Sequence, residues 1–233
     1  MTPLRYDCRY VEGLQFTGDL AQGEWASQVW SSDFVDIEGD LKPIPTYRTR
    51  VKMAWDESYF YIGAELEEPH VWATLTEHDS VIFQDNDFEV FIDPDGDAAR
   101  YFEFEINALN TTWDLFLPKA YRDQGSADNS WETYAKTKVT VHGTLNNPDD
   151  LDEGWTVEIA FPWECFSEGG MPVPPVAGDV WRVNFSRVEW DIAVVDGSYA
   201  KIPNRPEHNW VWTPQGVVDM HQPEMWGFVQ FVR

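Results

Sequence analysis

Two cysteines, Cys8 and Cys165, are too few for a disulfide framework or a thiolate zinc site. They could form one bridge that pins the N-terminal arm, or stand as two separate buried thiols. Five histidines, His70, His78, His142, His208 and His221, are scattered without the close spacing of a zinc-binding pair. No nucleophile elbow, phosphate-cradling glycine loop or dinucleotide fingerprint occurs. No apolar run approaches the roughly 20 residues that span a bilayer. The stretch from Met1 to Asp7 lacks the apolar segment of a signal peptide, so the expectation is a cytoplasmic protein or one secreted with its signal removed. Basic residues are scarce too, 16 against 41 acidic ones, for a net charge of −25. A field of that sign repels phosphate backbones and anionic headgroups, which makes nucleic acid and membrane surfaces poor partners. It leaves neutral polysaccharide open and suits a protein adapted to high salt.

Aromatic residues, by contrast, are abundant: they make up 15% of the chain, and 13 of them are tryptophans. A buried indole N–H needs a partner, so a surplus of Trp in a β protein suggests that some rings line a site while about ten pack the core. Trp55, Trp155, Trp181 and Trp190 lie inside apolar strands and are expected in the core. Trp210 and Trp212 flank Val211 and share one strand face, next to a polar loop where a ring could stack on a pyranose.

Strands are expected at 49 to 56, 58 to 67, 87 to 93, 100 to 108, 112 to 117, 136 to 143, 154 to 161, 180 to 190, 209 to 213 and 226 to 232. Residues 12 to 34 read as an edge strand and an irregular arm with one helical turn. Loops at 118 to 135, 144 to 153, 167 to 179 and 191 to 208 are long, and long loops on a sandwich are where binding resides. The pattern predicts an all-β fold, a jelly-roll-like sandwich of about ten or more mostly antiparallel strands, as a single domain over residues 1–233.

The most informative segment is 85 to 114. In the run Asp87 to Asp93, Phe88, Val90 and Ile92 oppose Glu89, Phe91 and Asp93. In the run Arg100 to Asn107, Phe102, Phe104 and Ile106 oppose Tyr101, Glu103, Glu105 and Asn107. An antiparallel hairpin of the two has one apolar face and one face of carboxylates and rings, and a one-residue slip would bury the acids. Between them, Asp93, Asp95 and Asp97 place hard oxygens on alternate residues around Gly96. That resembles half of a calcium loop without its closing bidentate Glu. The same residues also make an ordinary hairpin turn on conformational grounds alone.

These motifs resemble carbohydrate-binding module family 9 and its wider, DOMON-related group of family 9-like proteins. The resemblance rests on Glu89-Val90-Phe91-Ile92-Asp93, on Tyr101 to Asn107, and on Trp113-Asp114. It extends to Val51 to Ile62, Gly154 to Trp163, Trp181 to Glu189, Trp210 to Trp212 and Trp226 to Phe228, nearly the whole chain. It implies a β-sandwich without catalytic residues that holds a sugar between two rings, gripping the end of a glucan or xylan chain, with structural calcium. Trp212 matches one of those rings. The other falls at Phe83, six residues before Glu89, where typical members carry Trp, and an Arg that contacts ligand there is replaced by Glu105.

The expected site is a groove bordered by Trp212 and Phe83, with Glu89, Asn107 and Arg187 as hydroxyl partners and Trp113 at its margin. Glu89 follows the resemblance; Asn107 and Arg187 follow from strand faces. The expected partner is a saccharide or polysaccharide such as glucan or xylan, bound by a monomer, and the expected cofactor is calcium at Asp93, Asp95 and Asp97. No catalytic residue is assigned: Glu103 and Glu105 are spaced about 7 Å by strand geometry alone, which says nothing about cleavage. Two alternatives stay open. One is a haem-binding DOMON-like domain for electron transfer, ligated by Met53, Met171, Met220 or Met225 with His221. The other is a stand-alone scaffold or glycan-processing protein with another ligand.

Overall fold

Short alternating runs bounded by Gly, Pro, Asn and Asp become strands in the computed structural model, which describes residues 3–233. The first seven are β1 (Arg5–Tyr10), β2 (Val35–Asp36), β3 (Thr49–Trp55), β4 (Tyr59–Glu67), β5 (Asp87–Asp93), β6 (Ala99–Asn107) and β7 (Thr112–Lys119). Then follow β8 (Lys136–His142), β9 (Gly154–Pro162), β10 (Val180–Glu189), β11 (Ile192–Val195), β12 (Ser198–Lys201), β13 (His208–Val211) and β14 (Gly227–Val232). The only helical pieces among the described residues are short 3₁₀ turns.

Twelve strands join one curled sheet in the order β7-β6-β5-β10-β14-β1-β3-β4-β9-β8, with β13 beside β10 and β2 beside β13. Strand β1 runs parallel to both β14 and β3 and is the seam between two halves of otherwise antiparallel strands. The curl brings the halves face to face as a β-sandwich. Across the interior Phe104 meets Phe161 at 5.1 Å and Phe60 meets Trp181 at 6.4 Å, both edge-on as ring quadrupoles prefer. Trp55, Trp155 and Trp181 lie in this core, as their apolar neighbours predict.

The hairpin takes the expected faces. Glu89 pairs with Glu105, Phe91 with Glu103 and Asp87 with Asn107, while Phe88, Val90 and Ile92 pair with Ile106, Phe104 and Phe102 on the core side. Strand β10 lies on the other side of β5 and places Ser186 opposite Glu89 and Asn184 opposite Phe91.

Three features depart from the sequence reading. The N-terminal strand falls at Arg5–Tyr10 inside the sheet, and residues 12 to 34 contain a 3₁₀ turn, Gly23–Ser27, in place of an edge strand. That arm packs Leu14, Leu20 and Trp25 on Ala54, Tyr61 and Ala160, covering the outer face of β3, β4 and β9. Its Trp25 indole donates to Glu158 at 2.9 Å, and Lys52 donates to the Leu20 and Trp25 carbonyls at 2.8 Å each. The loop expected at 191 to 208 holds the hairpin β11-β12, a small sheet of its own. Trp190 leaves the core: its indole donates to the Phe83 carbonyl at 2.8 Å and Lys201 sits 3.6 Å above its ring. Cys8 and Cys165 are both buried free thiols.

Candidate functional site

A cavity of about 330 Å³ opens on the outer face of β5 and β6, and its floor follows from their pairing. Glu89, Phe91, Glu103 and Glu105 form that floor because odd-numbered residues of both strands point away from the core. Phe83 and Trp113 form one wall, and Tyr121, Met220 and His221 part of the opposite one. Trp113 reaches the cavity because β7 pairs it with Glu105.

Phe83 is held from both sides: its N–H donates to Glu105 at 2.9 Å and its carbonyl accepts from Trp190. Its ring stacks on Trp113 with centroids 6.3 Å apart and planes 28° from parallel. A sugar between two rings needs about 3.5–4 Å of contact on each side, so these rings form one continuous wall.

The floor is strongly acidic. Burial raises the Asp87, Glu103 and Glu105 carboxyls well above the usual carboxylate range and pushes Glu89 up to about 7; apart from Glu89, neighbouring carboxylates of the group add to the rise. Among the described residues, none of the four pairs with Lys or Arg, and His221 lies 4.0 Å from Glu103. Burial holds His221 neutral by lowering it to about 4, and its Nδ1 faces the Tyr101 hydroxyl at 2.9 Å. Asp87 Oδ2 and Glu103 Oε2 are buried without a hydrogen-bond partner.

Of the residues singled out from sequence, Phe83, Glu89 and Trp113 meet at this cavity, while Trp212, Arg187 and Asn107 do not line it. Trp212 is 2% exposed and fills the place where β10 exchanges β14 for β13 as its neighbour, over Gly227, whose lack of a Cβ makes room for the ring. Arg187 is 1% exposed on the core side of β10. It donates to Glu68 at 2.6 Å, to Glu189 at 2.8 Å and to the Glu67 carbonyl at 2.7 Å. The Asn107 amide donates to the Leu75 carbonyl and to Asp85 and its oxygen accepts from Leu109 and Thr111, which pins the turn into β7. The wall residues Tyr121, Glu207 and Asp219 lie between strands, where no periodicity announces a direction, and Asn209 comes from the short strand β13.

The turn at Asp93, Asp95 and Asp97 gathers its oxygens within 4.8 Å, yet it supplies its own donors. Asp93 accepts from the Gly96 and Ala98 N–H groups, and Arg100 Nη2 bridges Asp95 at 2.7 Å and Asp97 at 2.9 Å. The guanidinium offsets part of the charge of this turn and holds Asp95 and Asp97 together without any ion. The cavity does not offer axial haem ligands. Met53 is buried in the core, and Met220 and His221 are consecutive on one wall, which cannot place ligands on opposite faces of a ring.

Comparisons with known proteins agree with this geometry. Residues 17–232 match the family described as carbohydrate family 9 binding domain-like. A putative carbohydrate-binding protein from Bacteroides uniformis ATCC 8492 superposes with a TM-score of 0.71 at 15% identity, over 99% of this chain and 100% of that one. A family 9 carbohydrate-binding module from Caldicellulosiruptor kristjanssonii, solved with cellotriose, superposes with a TM-score of 0.63 at 16% identity, over 98% of this chain and 93% of that one. The same module with glucose gives a TM-score of 0.63 and 16% identity, over 98% and 96%. No curated protein matches by sequence. With its sandwich, its cavity on the hairpin and a family match over almost its full length, the chain belongs to the carbohydrate family 9 binding domain-like proteins.

Proposed function

We propose that this protein binds a saccharide in the cavity above β5 and β6 without cleaving it. The observation that supports this most is the Phe83–Trp113 wall standing directly over Glu89 and Glu105 on rigid strands. A pyranose presents an apolar C–H face and a rim of hydroxyls. The wall would take the face, an aromatic contact worth about 0.5–1.5 kcal/mol beyond area burial. Glu89 and Asn209 would take hydroxyls, a well-made bond contributing about 1.5–3 kcal/mol when the Glu89 carboxylate is charged and about 0.5–1.5 kcal/mol at the neutral Asn209 amide. Glucose and cellotriose occupy the structurally similar module, which favours a β-glucan or the related xylan as ligand.

The placement of the acids supports binding without hydrolysis. Cleavage needs two carboxyls on opposite sides of a glycosidic bond, one protonated and one ionised. Here Glu89, Glu103 and Glu105 share one floor, and burial raises all three. A monomer is the expected form, because copies carrying −25 repel one another. A glycan array, paired with a reducing-end assay on the same oligosaccharides, tests both halves. Retention of glucan or xylan oligosaccharides with no new reducing ends supports the reading; release of reducing ends, or retention of no saccharide, contradicts it.

A further inference from the structure

We infer that Asp87, Glu89 and Glu105 form a binding site for a hard divalent cation, of the calcium and magnesium class, at the floor of the cavity. One carboxylate oxygen from each of the three lies within 4.8 Å of the others. All three side chains are buried, and they belong to two paired strands, with Glu89 directly opposite Glu105 and Asp87 the next outward-facing residue on β5. Their spacing is therefore set by backbone hydrogen bonds rather than by a loop.

The independent sign of a missing partner comes from the buried atoms. Asp87 is 0% exposed, and its Oδ2 has no hydrogen-bond partner. Glu103, beside Glu105 on the same face, likewise buries Oε2 without one. A buried acceptor left unsatisfied costs more than a typical hydrogen bond gains. Buried carboxylates normally pair with a cation or coordinate a metal. The core of the protein shows the first solution: buried Arg187 pairs with buried Glu68 and Glu189. The floor has no such residue.

An all-oxygen, anionic set selects calcium, magnesium or manganese over metals that prefer nitrogen and sulfur. Glu89 and Glu105 also line the cavity, so the ion would stand where a ligand enters and could complete its shell with water or hydroxyls. The site does not depend on the saccharide reading: metal binding is measured without sugar, and sugar binding can fail while metal binding succeeds.

The test is calorimetric titration of metal-stripped protein with calcium, magnesium and manganese chlorides separately, on the parent and two variants. Glu105→Gln removes one ligand, and Asp95→Asn removes one carboxylate from the acidic turn, the competing site. Should Glu105→Gln not fold, Glu89→Gln replaces it. The expected result is that the parent binds at least one of the three ions, that Glu105→Gln weakens it at least tenfold, and that Asp95→Asn leaves it within twofold. Any other pattern overturns the assignment: no ion bound up to millimolar concentration, affinity kept in Glu105→Gln, or affinity lost in Asp95→Asn.

Discussion

The Phe83 N–H donates to the Glu105 carboxylate at 2.9 Å, which ties the aromatic wall of the cavity to its acidic floor. The bond makes Glu105 a support for the ring as well as a floor residue. Wall and floor therefore hold a fixed relation set by β6 and the turn at Ile82–Gln84, not by a free side-chain rotamer.

Trp212 is predicted to matter for stability and not for binding. Its ring occupies the space over Gly227 and touches Phe185, so Trp212→Ala opens a cavity costing about 3–5 kcal/mol, read as a shift in the urea midpoint. The folded fraction should bind saccharide as the parent does. Gly227→Ala should destabilise from the other side of the same contact, because its Cβ would run into the Trp212 ring.

Arg187 belongs to a buried ion network, and breaking it from one side should be worse than removing it whole. Arg187→Leu leaves Glu68 and Glu189 buried without their cation and is expected to cost about 3–5 kcal/mol in chemical denaturation. The triple variant Arg187→Leu, Glu68→Gln, Glu189→Gln should recover much of that loss. A triple variant less stable than Arg187→Leu would show that the charges are not the cause.

These two residues mark the border of what the sequence makes legible. The hairpin faces could be read because Phe, Val and Ile recur at every second position between polar or aromatic residues, and Glu89 and Trp113 reach the cavity through that register, while Phe83 reaches it from the turn at Ile82–Gln84. On β10 the same parity puts Val183, Phe185 and Arg187 on one side and Asn184, Ser186 and Val188 on the other. Arg187 thus points inward with the apolar residues, where an arginine is tolerated only because distant Glu68 and neighbouring Glu189 meet it. The pair Trp210 and Trp212 does share a face, but β13 sets Val211 beside Ser186 on the cavity side, which turns both rings into the core. Strand partners of that kind, and the loops that bring in Tyr121 and His221, are tertiary information that one-strand periodicity lacks.

His221 should give the protein a measurable acid sensitivity. Its folded-state pKa is lowered to about 4 by burial among Tyr101, Tyr121 and Phe91, with Asp219 opposing and Arg122 adding to the effect. A depressed pKa contributes stability that is present above the unfolded value near 6.5 and is lost as pH falls through 4. Burial raises the nearby Glu103 carboxyl as well, which weakens it as a counter-ion. His221→Gln should therefore lose less stability than the parent between pH 7 and 4, by up to about 3 kcal/mol, read from denaturation midpoints at matched pH. Parallel pH profiles would contradict the neutral, buried state of the imidazole.

Saccharide binding at the Phe83–Trp113 wall is tested most directly by calorimetric titration of cello- and xylo-oligosaccharides into the parent, Phe83→Ala and Trp113→Ala. Each ring contributes about 0.5–1.5 kcal/mol of aromatic contact, so each variant should bind about 2- to 12-fold more weakly while keeping the parent melting temperature. A parent that takes up neither oligosaccharide series, or variants that bind as tightly as the parent, would contradict the account.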